Sequence, residues 1–160
     1  MESETKYLVR VNRINKESPD EFPYDNRAFA GQFLNMFLKD ESGLYRNIAL
    51  LSEKNGNLNV ERILVFENGF LRMDLSDCDI VRLREGFRSS GEEKYLYMVK
   101  NIHEDTERCL ICCLNSKLTL GSSEMVDLKM IDRVCSCRDL ANRADLDLEI
   151  NVPENEEECL

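Results

Sequence analysis

The chain has 160 residues, 42% of them apolar, and its 31 acidic and 21 basic side chains give a net charge of −10. That length suits one domain or two small intertwined ones. No apolar run approaches the roughly 18 residues that a membrane-crossing helix needs, and the opening MESETKYLVR lacks the charged-then-apolar layout of a signal peptide.

An intracellular setting is therefore expected, with the seven cysteines reduced. Their odd number argues against a closed disulfide framework. The C-terminal EECL is not a prenylation box, because Cys159 is penultimate. Much of the negative charge is local. Residues 145–160 hold seven carboxylates and no Lys or Arg, and 151–160 reads as a solvated acidic tail.

In chain order, KYLVRVNRI (6–14) puts Tyr7, Val9 and Val11 on one parity, the period of a strand with one dry face. Pro19 and Pro23 then predict an irregular loop. In DNRAFAGQFLNMFLKD, Asp25 or Asn26 is placed to cap a helix. Phe29, Phe33, Met36 and Phe37 recur at i, i+4, i+7 and i+8 and make one helical stripe.

Asn55-Gly56 and Asn68-Gly69 each lie between apolar-rich runs. Two-residue Asn-Gly loops favour the type I′ turn, whose positive φ angles match strand twist. A meander with strands near 45–52, 58–66 and 70–75 follows, and DCDIVRL returns as a short fourth piece. KYLYMVKNI is a strand with Tyr95, Tyr97 and Val99 on one face, and RCLICCLNSKLTL is a strand pair or one bent strand. From Asp132, the spacing of Val134, Cys137, Leu140 and Ala141 predicts a helix, and LDLEINV a last strand.

Five of these segments, in this order, resemble the extended Tudor domain, a small barrel inserted in a staphylococcal-nuclease-like (SN-like) OB fold. They are YLVRVNRINKESPDEF, FAGQFLNMFLKD, GLYRNIALLSEKNGNLNVERILVFENGF, DLSDCDIVRLREGF and KYLYMVKNI. The third is similar to the family's Trp-Tyr-Arg-Ala followed by a strand ending in Phe-x-Asp-Tyr-Gly-Asn, and the fourth to its Ser-Asp-Leu-Arg-Pro-Leu. The resemblance covers about residues 6–150.

What it implies is a mainly β fold with two or three helices, a Tudor-like β-barrel joined to an SN-like, OB-like β subdomain. The barrel would occupy about 42–87, within an SN-like half made of 6–40 and 93–150. Many Tudor domains bind methylarginine in an aromatic cage, each ring contact being worth about 0.5–2 kcal/mol. Carried over by position, the cage ring before Tyr-Arg is Leu44, and the next is Val65. The Asp is Glu67, the Tyr is Asn68, the Gly is Gly69 and the Asn is Phe70. Leu44 and Val65 have no ring, so Leu44, Tyr45, Val65, Phe66, Asn68 and Phe70 are expected to form a degenerate cage that contacts a partner.

The expected function is a non-enzymatic protein–protein interaction module, a scaffold in a small-RNA silencing (RNAi or piRNA-type) complex of the cytoplasm, perinuclear zone or germ granules. Its partner would be a peptide or helix of a pathway component, with no membrane and no cofactor. The alternatives are a methylarginine-peptide reader and an OB-like single-stranded nucleic-acid binder. Arg82, Arg84 and Arg88, with Phe87 among them, form the best basic patch, although direct nucleic-acid binding is not expected of so acidic a chain. Cys109, Cys112, Cys113, Cys135 and Cys137 read as core thiols rather than zinc ligands. Leu and Ile separate Cys109 from Cys112, with no Gly or Pro to form a knuckle. His103 reads as an exposed loop residue, and no catalytic residue or metal site is expected.

Overall fold

The computed structural model describes residues 5–89, 91, 95–114 and 123–142. The expected last strand in LDLEINV and the acidic tail lie outside the described residues. The chain divides into two compact units, Met1–Leu75 and Ser76–Leu160. Each contains a five-stranded sheet, and the strand pairs are antiparallel. The mainly β expectation holds, the helices among the described residues being one nine-residue α-helix and short 3-10 turns.

In the first unit the strands are β1 (Lys6–Arg13), β2 (Asp20–Tyr24), β3 (Tyr45–Lys54), β4 (Asn57–Glu67) and β5 (Phe70–Ser76), ordered β2-β1-β3-β4-β5. Segment 6–40, grouped with 93–150 in the sequence reading, here shares its sheet with β3, β4 and β5 through the β1–β3 pairing. Both Asn-Gly turns have positive φ at each central residue, 53° and 80° at Asn55-Gly56, 55° and 83° at Asn68-Gly69. That is the type I′ geometry their sequence predicts.

The proline-marked loop is partly a strand. Pro23 lies within β2, opposite Leu8. It is tolerated because β2 is at the sheet edge, where the amide hydrogen that proline lacks is not needed by a ladder on the outer side. Lys16 bonds Asp20 at 2.6 Å in the turn leading to β2, and this hydrogen bond draws the Asp20 carboxyl below its ordinary pKa.

Helix α1 (Arg27–Asn35) starts where Asn26 accepts from the amides of Ala28 (2.7 Å) and Phe29 (3.3 Å). Its buried face does not coincide with the stripe of Phe29, Phe33, Met36 and Phe37. Ala30 and Leu34 are buried, packed with Val9, Val11, Ile48, Leu50 and Leu64. Phe33 and Phe37 only flank that cluster, while Phe29 and Met36 are 59% and 76% exposed. The smaller Ala30 allows the helix to seat close to the sheet, and the bulky rings take the sides. The dry parity of β1 is as expected, with Val9 and Val11 buried.

The opposite parity of the central strands is also buried, at Ala49, Leu51, Ile63 and Val65. Asn12 and Asn47 are buried too, and satisfy each other through a 2.7 Å bond from Asn12 Nδ2 to Asn47 Oδ1. Arg62 on β4 makes a fork onto Asp74 of β5 at 2.8 and 2.7 Å, and its Nη1 reaches Asn35 at the end of α1.

The second unit has β6 (Ile80–Leu83), β7 (Tyr97–His103), β8 (Arg108–Cys113), β9 (Ser123–Asp127) and β10 (Ile131–Cys135), ordered β10-β6-β7-β8-β9. Two expectations are corrected here. DCDIVRL does not continue the meander; β6 pairs with β7 and β10 in the second sheet. The helix expected from Asp132 is strand β10 followed by a 3-10 segment, Cys137–Asn142. Pairing of Ile131 with Leu83 and Cys135 with Ile80 overrides the helical spacing. Leu140 and Cys135 join Ile80, Leu96, Met98 and Leu114 in the core. On β7, Tyr97, Met98 and Val99 are all buried, so the strand is dry on both faces rather than one.

Asp79 opens β6 as a buried carboxylate. Its Oδ2 accepts the Ser76 amide at 2.8 Å and Arg133 Nε at 2.8 Å. The turn it closes carries Cys78 at φ 69°.

Candidate functional site

The expected degenerate cage lies entirely in the first unit, around the turn between β4 and β5. Two loops meet there. Asp40 Oδ2 accepts from the Ser42 amide (3.2 Å) and hydroxyl (2.7 Å), and Ser42 Oγ accepts from the Leu44 amide (3.2 Å). This fixes residues 40–44 as a compact turn, and the Leu44 carbonyl then accepts the Ile14 amide at 3.0 Å. Gly43 (φ 74°) and Gly69 (φ 83°) face one another; a Cβ added at Gly69 would fall 3.7 Å from Gly43 Cα. Glycine serves both needs at position 69, positive φ and close backbone approach.

This approach brings Leu44 and Phe70, each next to one of the two glycines, to the same end of the sheet. They are 48% and 59% exposed, and Ile14, bonded to Leu44, is 66% exposed. Asn68 is exposed in the turn itself. Behind this rim, Tyr45 and Phe66 are half-buried against the helix-side core. Val65 is buried on the other parity of β4. The sequence grouping of six residues therefore separates into an exposed rim (Leu44, Asn68, Phe70), a half-buried pair of rings (Tyr45, Phe66) and one core residue (Val65).

The rings do not stand around a gap. Tyr45 and Phe66 have centroids 6.3 Å apart at 49°, and Tyr45 meets Phe37 edge-on at 5.2 Å. These are distances of direct ring contact. The series continues from Phe37 to Phe33 (5.4 Å), and from Phe33 to Tyr24 (5.9 Å) and Phe22 (4.9 Å). Aromatic faces in this row are engaged with one another. Sequence reasoning found the two rings at one end, Tyr45 and Phe66, through the family resemblance but missed the rest of the row, because ring contact between β2, α1 and β3 is set by packing rather than spacing.

The other singled-out residues lie in the second unit. Arg84 donates to the Lys129 carbonyl at 3.1 Å and lies 4.0 Å from Asp132. Arg82 and Arg88 are half-buried, each with its Nε buried and without an acceptor among the described residues. Phe87, between them in sequence, is exposed. Cys109 and Cys135 are buried; Cys112, Cys113 and Cys137 are half-buried. Burial pushes the Cys109 thiol up to about 12, so it is held as the unreactive neutral form. Among the described residues, no three His, Cys, Asp or Glu side chains are grouped to hold a metal ion. His103 is exposed at the end of β7, and Glu104 beside it is buried. Among the described residues no helix is long and apolar enough to cross a membrane.

Comparison with known proteins adds no relative: no family model, no curated protein and no solved structure matches the chain. The Tudor resemblance thus rests on the five ordered sequence segments alone.

Proposed function

We propose that the chain is a non-enzymatic protein–protein interaction module, and that the exposed rim of Leu44, Asn68 and Phe70 takes a peptide or helix of the partner. The observation that carries this reading is the pairing of exposed Leu44 and Phe70 across the Gly43–Gly69 approach, backed by rings already in contact. Exposed apolar side chains on a rigid turn are a ready docking surface. The Tudor resemblance supplies the setting: a scaffold within a small-RNA silencing complex, in the cytoplasm, perinuclear zone or germ granules.

A methylarginine reader is disfavoured on physical grounds. A cation needs ring faces free to receive it, Leu44 and Val65 supply none, and Tyr45 and Phe66 lean on each other.

The test combines crosslinking in the native cell with the variants Leu44→Asp and Phe70→Asp. Partner crosslinks should map to residues 44–70 and be lost in both variants. Crosslinks that map elsewhere and survive both would refute the site. In a parallel titration, a symmetric-dimethylarginine peptide should leave the amide resonances of 44–70 unmoved. Shifts confined to that stretch, absent with the unmodified peptide, would establish the reader instead.

A further inference from the structure

Helix α1 carries a second surface, independent of the rim. Phe29 and Met36 are seven residues apart, two turns or about 10.5 Å along the axis, and so share one face. That face points outward, with Phe29 59% and Met36 76% exposed. Phe33 lies between them, half-buried, and its ring touches exposed Phe22 of β2 at 4.9 Å. The ends of this stripe carry opposite charges. Asp25 precedes the cap. Beyond Asn35 the chain winds in three-residue steps, with Met36 N bonded to Phe33 O and Leu38 N to Asn35 O. At three residues per turn, Lys39 comes over Met36. Asp25 and Lys39 are exposed, and neither forms an ion pair among the described residues.

Read along the axis, the face runs acid, Phe29, Phe33, Met36, base. Such a sequence is complementary to itself when reversed. About a two-fold axis between Gln32 and Phe33, Phe29 meets Met36 of a second copy. Asp25 of each copy meets Lys39 of the other, and the two helix dipoles oppose. We propose that this face is the isologous contact of a homodimer, formed by antiparallel packing of α1 on α1.

Two other occupants fit less well. A membrane-surface helix is rich in Lys and Arg on its polar side. Here Arg27 is engaged with Glu61 at 2.8 Å, leaving Lys39 as the basic group of the stripe. A helix from an unrelated protein would require an apolar face, but not opposite charges placed symmetrically about the middle of it.

Sedimentation equilibrium of the full chain at low ionic strength tests the proposal. The weight-average mass should rise with concentration from 18.6 kDa toward twice that value. Met36→Glu should weaken the association by about tenfold or more, equivalent to one decade in Kd, with the melting curve of the dilute monomer unchanged because Met36 is exposed there. Asp25→Lys and Lys39→Asp should each weaken it, through like charges across the axis, and the double variant should recover it. A mass of 18.6 kDa at every concentration would overturn the dimer. So would an association indifferent to Met36→Glu. A double variant no stronger than either single one would overturn the antiparallel register. Capture of a different protein by a chain that stays monomeric, lost in Met36→Glu, would assign the face to that partner instead.

Discussion

Among the described residues the two units hold sheets of five strands each, with different chemistry. Nine of the twelve aromatic residues precede residue 71, and all seven cysteines follow residue 77. The first sheet is covered on one side by α1 and a row of six rings in contact, of which Phe22 is exposed. The second packs Ile80, Leu96, Met98, Leu114 and Leu140 with Cys135, and β6 begins on a buried carboxylate. The rings of the row are half-buried or exposed, so part of each remains at the surface, where a partner can use it. Thiols are small enough to vanish into a core, and there they are chemically inert. Both proposed contacts accordingly fall in the first unit.

The largest effect should separate the two faces of α1. Leu34→Ala should cost about 2–5 kcal/mol in urea unfolding followed by circular dichroism, whereas Phe29→Ala should fall within about 0.5 kcal/mol of wild type. Equal costs would mean that Phe29 is packed after all, and would remove the outward stripe along with the dimer built on it.

The buried polar groups sharpen the contrast next. Asp79→Ala in the second unit leaves the Ser76 amide and the Arg133 guanidinium without their acceptor. The expected loss is about 2 kcal/mol, moderated because Arg133 is partly in water. In the first unit, Asn12→Ala removes the donor that buried Asn47 Oδ1 accepts from and should cost about 1–3 kcal/mol. Adding Asn47→Ala should then cost less than Asn47→Ala does alone, because the bond shared with Asn12 is already gone. A strictly additive cycle would show that the 2.7 Å bond is not coupling the pair.

The smallest effect concerns sulfur. Cys109 has a folded value of about 12 against an ordinary 9.0, because burial penalises the thiolate. Between those values the unfolded chain loses the proton that the folded chain keeps, so this thiol's contribution makes stability fall as pH rises. Cys109→Ala should flatten that decline. Native Cys109 should also resist alkylation at mildly alkaline pH while half-buried Cys137 reacts. Comparable rates at the two positions would show that the second core opens readily.

Local features were legible in the sequence because their causes lie within a few residues. The alternation of Tyr7, Val9 and Val11 gave β1, Asn26 the helix cap and the Asn-Gly pairs the hairpins. The site was half legible. The resemblance drew attention to Leu44 and Phe70, and the structure brings them together through two glycines that the spacing alone did not connect. The spacing of Phe29 and Met36 marked a stripe without fixing which way it faces, since an apolar stripe at helical spacing fits a buried face and a docking face equally well.

By itself, then, the sequence determined the mainly β character, the two type I′ turns and the start of α1, all consequences of backbone preference and short-range hydrogen bonding. Only the tertiary structure decided which face of α1 meets the sheet, that β6 joins the second sheet, and that residues 132–135 are strand. Those choices depend on what lies opposite in space. Ala30 and Leu34 fit against Val9 and Ile48 more closely than phenylalanine could, and Cys135 is extended because Ile80 offers it a ladder.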